Sequence, residues 1–355
     1  FSTEDKIIPF QQQTLKNESL PDKQQLIIEK GANGKQQITY RKVFEDNIEV
    51  SKTVVKTVTL AEALPEIIML GVQTPFTPIE IPGKLLYLTG GNAWMMENTT
   101  SSRTPVVTTG DMDGQIFSIS PHGDYLLFSR KTQQDSDDGN INSLWIVDLT
   151  EPASQPVALD VKNVIHFADW VPEKGLTIAY STVESRSTAP GWQANNDLHI
   201  LSFSNTGLEI TKTDLINTNS GGVYGWWGSS FAISPDGSAI AYARPDSVGL
   251  VDTETGKSTL LLGEIPVQTR SDWAWVPGMS WAYDHSVLYT VNHLPKTGLA
   301  DEASPVFDLV GLIQRNESPL ISLAPNAGMF AYPSASPMLT PNHFMVAYLQ
   351  SIFSD

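Results

Sequence analysis

The sequence contains no cysteine, no long apolar run and few basic residues. Without cysteine the chain has no disulfide, thiolate metal ligand or cysteine nucleophile, so its stability depends on packing. The apolar stretches, such as Ile67–Leu70, are far shorter than the roughly 20 residues needed to cross a bilayer, which predicts no membrane-spanning segment. Because 22 basic residues face 39 acidic ones, the formal charge is -17, and we expect no nucleic acid partner.

Composition divides the 355 residues into two parts. Residues 1–75 hold nine basic and ten acidic residues and none of the nine tryptophans, whereas residues 76–355 hold 13 basic and 29 acidic residues and every tryptophan. Between the two parts, Pro75, Pro78 and Pro82 stiffen the backbone and remove amide donors. The sequence therefore predicts a domain over 1–75, a Pro-rich linker over 76–83 and a second domain over 84–355.

The first part is predicted to be a thin β-sheet. Strand-forming segments 26–30, 37–43 and 49–58 are separated by turn signals at 31–34 and 45–47. The strands are long and carry few large apolar side chains, so we expect little core. Such a sheet suits a stalk or spacer better than a catalytic domain.

The same segment resembles the G-five (G5) domain. The resemblance covers about residues 4–74, including Glu29-Lys30-Gly31-Ala32-Asn33-Gly34-Lys35 and the exit Pro65-Glu66-Ile67-Ile68-Met69-Leu70-Gly71. Two family glycines are replaced, near Asp22-Lys23 and at Asn47, and asparagine also tolerates the left-handed turn. The resemblance implies an exported protein of the cell surface or envelope, with cell-wall or extracellular polysaccharide as partner. No leader is readable at Phe1.

The second part contains an internal repeat. Segment 116–129 aligns with 230–243, and weaker copies follow the same pattern of a strand, a Pro-Asp-Gly type turn and another strand. The turn positions Pro121, Pro172, Pro235, Tyr283 and Pro341 are separated by 51, 63, 48 and 58 residues. These spacings are typical of propeller blades.

Each repeat predicts a small sheet that cannot bury both faces alone, so the copies are expected to stack radially. The repeats resemble TolB-like or WD-type β-propellers. The predicted fold is therefore all-β, a small elongated G5 sheet followed by a propeller over 84–355. The C-terminal blade is expected to be incomplete, and the ring is expected to have six or seven blades in the full chain. The alternative is that the two ends of the segment share one blade, which would give a ring of about five blades.

The search for catalytic motifs favours a non-enzymatic protein. Gly-x-Ser-x-Gly is absent, and Ser280, in the nearest string, is expected on a strand. The histidines show no zinc spacing; they are His122, His166, His199, His285, His293 and His343. Segment 135–140 lacks the twelfth-position carboxylate of a calcium loop, and 111–114 is a weaker candidate still. We therefore expect no catalytic residue, metal or cofactor.

The candidate ligand-binding residues are tryptophans. Trp145, Trp170 and Trp281 fall on repeat strands, which indicates a packing role. Five others lie on segments entering an innermost strand or on a long insertion, where a propeller opens its ligand face: Trp192, Trp226, Trp227, Trp273 and Trp275. Aromatic rings beside Asn and Gln suit stacking on sugars or holding a peptide.

The sequence thus favours an extracellular binding or adhesion protein. Its propeller face would bind a glycan or another surface protein, with the G5 domain as stalk or cell-wall contact. Two alternatives stay open at this point. One is a propeller glycan hydrolase or lyase, or the regulatory part of a longer hydrolase; the other is a surface-assembly subunit.

Overall fold

The computed structural model describes residues 1–73, 77–132, 139–151, 153–219, 221–314, 319–338, 340 and 345–352. In these ranges the fold is nearly all β, and the single helical element is the 3-10 turn Asp301–Ala303. Within the same ranges, no helix has the length and apolar character to cross a membrane. By their contacts, the residues form two compact units, Phe1–Thr108 and Thr109–Asp355.

The described residues of the first unit form three three-stranded sheets, ordered β1-β4-β5, β2-β6-β3 and β7-β8-β9. All neighbouring strands are antiparallel except β2 and β6, which are parallel. The strands are β1 (Ser2–Ile8), β2 (Gln12–Pro21), β3 (Gln25–Glu29), β4 (Gly34–Glu45), β5 (Ile48–Ala61), β6 (Glu66–Gln73), β7 (Glu80–Thr89), β8 (Asn92–Thr99) and β9 (Arg103–Val107).

The hairpin of β4 and β5 confirms the expected thin sheet. Every residue of β5 is exposed, so this strand is solvated on both faces. Its turn uses Asp46 and Asn47 at φ 49° and 67°, a left-handed geometry that Asn and Asp adopt more readily than most residues. The other replaced glycine of the G5 pattern falls near Asp22-Lys23. Lys23 has φ 67°, so the backbone is left-handed there as well.

The unit's small core joins the second sheet to the third. Leu15, Ile67 and Met69 pack against Trp94 of β8. The division between units consequently falls after Thr108, whereas the sequence placed 84–108 with the second domain. Strand β7 also begins at Glu80, so the segment 76–83, expected to be a linker, is partly strand.

The second unit contains strands β10 to β29. They are β10 (Met112–Ile119), β11 (Tyr125–Lys131), β12 (Asn142–Asp148), β13 (Val157–Lys162), β14 (Phe167–Trp170), β15 (Thr177–Ser181), β16 (Val183–Ser185), β17 (Trp192–Ala194), β18 (Leu198–Phe203), β19 (Glu209–Ile216), β20 (Ser230–Ile233), β21 (Ala239–Arg244), β22 (Ser247–Asp252), β23 (Ser258–Gly263), β24 (Met279–Trp281), β25 (Val287–Leu294), β26 (Val306–Ile313), β27 (Leu320–Ala324), β28 (Ser334–Ala335) and β29 (Val346–Ala347).

These strands form the predicted radial array. Within the part of the unit that the structure describes, four antiparallel four-stranded sheets follow in order, β10-β11-β12-β13, β14-β15-β18-β19, β20-β21-β22-β23 and β24-β25-β26-β27. The first strand of each sheet contacts the first strand of the next, and β24 contacts β28 of a two-stranded sheet with β29. This is the blade arrangement of a β-propeller. The number of blades in the full chain stays a prediction.

The repeated turns follow from their sequence. Gly123 and Gly237 have φ 72° and 67°, as their hairpins require. In the intact copy, Ser234 Oγ donates to Asp236 at 2.6 Å and accepts from the Ala239 amide at 3.0 Å. In the weaker copy whose turn position is Tyr283, His285 takes the left-handed position at φ 51°.

Consecutive blades share their apolar cores. One core combines Leu127 and Ile146 of the first four-stranded sheet with Ile178 of the second, and the next two sheet pairs share cores in the same way. A tryptophan hydrogen bond recurs at these junctions. Trp170 Nε1 donates to Ser118 O at 3.1 Å, and Trp281 Nε1 donates to Ala232 O at 2.9 Å. These residues therefore have the packing role that the repeat alignment predicts.

The junction hydrogen bond gives a test of stability. We expect Trp281→Phe to lower the free energy of unfolding by about 1 kcal/mol, because an aromatic ring remains while the Ala232 carbonyl loses its donor. Urea unfolding measures the change. Trp226→Phe is the control, since 37% of Trp226 is exposed; an equal loss in both variants would contradict this role of the indole N–H.

Candidate functional site

An aromatic cleft of about 310 Å³ opens where segments of the second unit enter the first strands of their blades. His166 precedes β14, Trp227 precedes β20, Trp273 precedes β24, and Phe330 and Tyr332 precede β28. The described lining residues are His166, Trp227, Gly228, Ser229, Ser230, Trp273, Ala274, Trp275, Val276, Phe330 and Tyr332. The cleft is at the small end of the range for ligand sites.

The first aromatic cluster consists of His166, Trp192, Trp226 and Trp227. The Trp192 and Trp227 ring centroids are 5.5 Å apart, and those of Trp226 and Trp227 are 5.7 Å apart. His166 contacts Trp192 edge to face at 4.5 Å. The structure therefore brings together three of the five candidate tryptophans, and Trp227 and His166 are the cluster members that line the cleft.

The second aromatic cluster consists of Trp273, Phe330 and Tyr332. The Trp273 and Phe330 centroids are 6.2 Å apart, and Phe330 stacks on Tyr332 at 5.9 Å. Phe330 and Tyr332 are 47% and 56% exposed. Large aromatic surface that remains exposed beside a cleft is available to a ligand.

Trp275 supports the cleft from below. Only 2% of its surface is exposed, and its Nε1 donates to Met329 O at 2.8 Å. Its ring packs against Phe307 and His293. The His293 amide donates to Glu264 at 3.0 Å, and burial raises the pKa of Glu264 to about 8, so that this carboxyl group is protonated at pH 7.

His166 is a cleft residue that the sequence reasoning missed. Its side chain is open to solvent, yet the surrounding protein lowers the pKa of His166 to about 4 by desolvation. The exposed edge of the ring limits the lowering of the pKa by desolvation. His166 is mostly neutral at pH 7 in either case, because the ordinary imidazole pKa of 6.5 also lies below 7. Gly228 lets the ring approach the backbone, because a Cβ at 228 would lie 2.9 Å from His166 Nε2.

Asn196 positions the tryptophan segment. This residue is buried, and its Nδ2 donates to Gly225 O at 2.6 Å while its Oδ1 accepts from Ser229 Oγ at 2.8 Å. The Ala194 amide also donates to Trp226 O at 3.2 Å. These bonds tie the hairpin of β16 and β17 to the loop that carries Trp226 and Trp227.

A second polar network holds the base of the same hairpin. Asp197 accepts hydrogen bonds from the Thr182 amide at 2.6 Å and from the Thr182 hydroxyl at 2.5 Å. His199 lies between Asp197, at 3.0 Å, and Asp214, at 2.6 Å. Desolvation opposes protonation of His199, but the hydrogen bonds and charges of both aspartates together raise its pKa above 6.5.

The cleft lining is uncharged at neutral pH. Its described residues include no Asp, Glu, Lys or Arg. Elsewhere Asp111 is paired with Arg130 at 2.7 Å, and Asp113 accepts from Asn142 at 2.8 Å, so both acids of segment 111–114 have structural partners. Ser280 lies on β24 as expected, and its hydroxyl accepts from the Ala335 amide.

The candidate metal ligands of the sequence can be compared with the described part of the structure. In the part of the chain that is described, no group of three or more His, Asp or Glu residues could hold a metal ion. Residues 135–138 of the segment 135–140 lie outside the described residues, as does His343.

The comparisons with known proteins identify the N-terminal segment. Residues 2–73 match the model of the G5 domain family. This segment is a G5 domain. An IgA1 protease G5 domain structure is 26% identical, with 21% of this chain and 86% of that chain covered and a TM-score of 0.16. No curated protein matches this chain.

Beyond the G5 domain, solved β-propeller structures are similar at low identity. An oligogalacturonate lyase of Vibrio parahaemolyticus is 13% identical over 70% of this chain and 67% of that chain, with a TM-score of 0.47. TolB of Acinetobacter baumannii is 12% identical over 71% of this chain and 55% of that chain, with a TM-score of 0.41. The strand order of the four four-stranded sheets is itself that of propeller blades.

Loss of the Asn196 side chain is expected to disorder the first aromatic cluster. We expect Asn196→Gly to lower stability by about 2 kcal/mol, because buried partners lose their hydrogen bonds, and to weaken the coupled tryptophan signal in circular dichroism. Glycine accommodates the left-handed φ of 54° at 196.

Asn326→Gly is the matched control for Asn196→Gly. Asn326 has a similar φ of 52°, but it is exposed and lies outside the first cluster. We expect this variant to keep the coupled signal. Equal signals in the two variants would contradict the positioning role of Asn196.

The His199 network predicts a pH-dependent stability. Because the folded pKa of His199 is raised above 6.5, its contribution is fully present below that pH and is lost as pH rises through the folded pKa. We therefore expect His199→Gln to destabilise more at about pH 5.5 than at about pH 9. Urea unfolding at both pH values measures this, and a larger loss at the higher pH would refute the assigned charge state.

Proposed function

We propose that this chain is a non-enzymatic binding protein of the extracellular surface, whose aromatic cleft holds a glycan. The G5 domain, a module typical of surface proteins, supports the location. In this proposal the G5 segment acts as a stalk or contacts the cell wall, and the propeller unit recognises the ligand. The biological class is adhesion or glycan recognition.

The observation that carries the proposal is the composition of the cleft. Four exposed or half-buried aromatic side chains line it, namely Trp227, Trp273, Phe330 and Tyr332, and Trp275 lies beneath them. The C–H faces of a sugar ring stack on aromatic faces, and the hydroxyls around the ring remain free to bond polar groups at the edge.

The same lining favours binding over glycoside hydrolysis. Hydrolysis by the common mechanisms needs two carboxyl groups beside the scissile bond, about 5 to 10 Å apart. Among its described residues the cleft has no carboxylate, and its titratable side chains are His166 and Tyr332. Polysaccharide cleavage is the alternative activity that the sequence leaves open, and the test therefore includes it.

A glycan array probed with the intact chain tests this function. We expect binding to a restricted set of oligosaccharides, with at least a tenfold loss of affinity in Trp227→Ala, because the variant removes a stacking face. Trp145→Ala is the matched control, since this half-buried tryptophan lies on β12, away from the cleft lining. Each bound polymer is also incubated with the protein and analysed for chain shortening.

Two results would refute the proposal. One is the absence of binding to any glycan by a folded protein. The other is turnover of a polymer, which would make the cleft an active site. Equal loss of binding in Trp227→Ala and Trp145→Ala would move the site away from the cleft.

A further inference from the structure

We propose that the glycan is uncharged and that two of its sugar rings stack at the same time, one on each aromatic cluster. This inference rests on the proposed function, because it names the ligand class of the same cleft. It adds a minimum length, a charge and a contact assignment for the two clusters.

The two aromatic clusters form separate platforms. Within the first cluster rings contact each other at 4.5 to 5.7 Å, and within the second at 5.9 and 6.2 Å. No ring contact joins one cluster to the other among the described residues. Both nevertheless line one cleft, the first through His166 and Trp227 and the second through Trp273, Phe330 and Tyr332.

Separate platforms on one cleft fit a ligand with repeated stacking faces. An oligosaccharide presents such faces at each ring, whereas a monosaccharide has one ring to offer. A single ring can satisfy one cluster and leaves the other in water. We therefore infer that a disaccharide is the shortest ligand that gains from both clusters.

The cleft lining offers no charge for a ligand to pair with among its described residues. The described lining includes no cation to pair with a uronic acid or sulfate and no carboxylate to pair with an amino sugar. Transfer of an unpaired charge into such a site costs free energy, and the formal charge of -17 on the chain further disfavours an anion. Uncharged sugars avoid both penalties.

The cleft also contains polar side chains that suit sugar hydroxyls. A neutral imidazole has one donor and one acceptor nitrogen, and His166 is neutral at pH 7. Ser230, an exposed residue of the same lining, contributes a hydroxyl group. Sugar hydroxyls both donate and accept, so they can pair with either group without any change of protonation.

Isothermal titration with uncharged oligosaccharides of increasing length tests the inference. The probes are the cello-, malto- and N-acetylated chito-oligosaccharides, each from one ring to four. The charged probes are trigalacturonate and deacetylated chitotriose, at about 0.15 M salt, where the bulk charge of the protein is partly screened. We expect at least one uncharged series to bind from the disaccharide upward, at least tenfold more tightly than its monosaccharide and than either charged trimer.

The variants assign the rings to the clusters. We expect Trp227→Ala and Phe330→Ala each to lower the affinity for the bound oligosaccharide at least tenfold and to bring it near that of the monosaccharide. Phe330 is 47% exposed, so its removal costs little packing. Tyr283→Ala is the matched control, because Tyr283 is 56% exposed and lies in a blade turn outside the cleft lining.

The outcomes separate this inference from the proposed function. Equal or tighter binding of a charged trimer overturns the inference and leaves glycan binding intact. Equal affinity for one ring and two, or an effect of only one cluster, overturns the two-platform arrangement in the same way. No binding of any sugar by the folded protein refutes the proposed function itself.

Discussion

The architecture depends on the burial of each small sheet against its neighbours. A four-stranded blade has two faces, and in the second unit the cores are shared between consecutive blades, with Trp170 and Trp281 bonded across two of the junctions. This packing sets the first strands side by side. The segments that enter those strands are therefore brought together, although they are far apart in the sequence.

The aromatic cleft is a consequence of that convergence, and polar networks give it a defined shape. Asn196 connects the hairpin carrying Trp192 to the loop carrying Trp226 and Trp227, and Asp197 anchors the hairpin base. Both residues are buried, where an unmade hydrogen bond is costly. The charged groups of this region thus hold the hairpin in place, whereas the cleft itself presents aromatic and uncharged surface.

The repeat could be predicted from the sequence because tight turns need particular residues, as at Gly123 and Gly237. The position of Trp281 on a strand followed from the alignment of the repeats. Four of the five candidate tryptophans were found by their position ahead of these turns, and Trp192 was found by its place on a long insertion. His166, Phe330 and Tyr332 occupy equivalent entry segments, but a single His, Phe or Tyr is found both in cores and on surfaces and gave no separate signal. The boundary between the units could not be predicted from the sequence, because it depends on the packing of Trp94 against Leu15 and Ile67, which are far from Trp94 in the sequence.

Fluorine NMR of the fluorotryptophan-labelled chain tests most directly whether the aromatic cleft is the ligand surface. The nine tryptophans give separate reporters, and single Trp→Phe variants assign their signals. On addition of a bound oligosaccharide, the account predicts shifts at Trp227 and Trp273 and an unchanged signal at Trp145. Shifts confined to tryptophans outside the two clusters would contradict it.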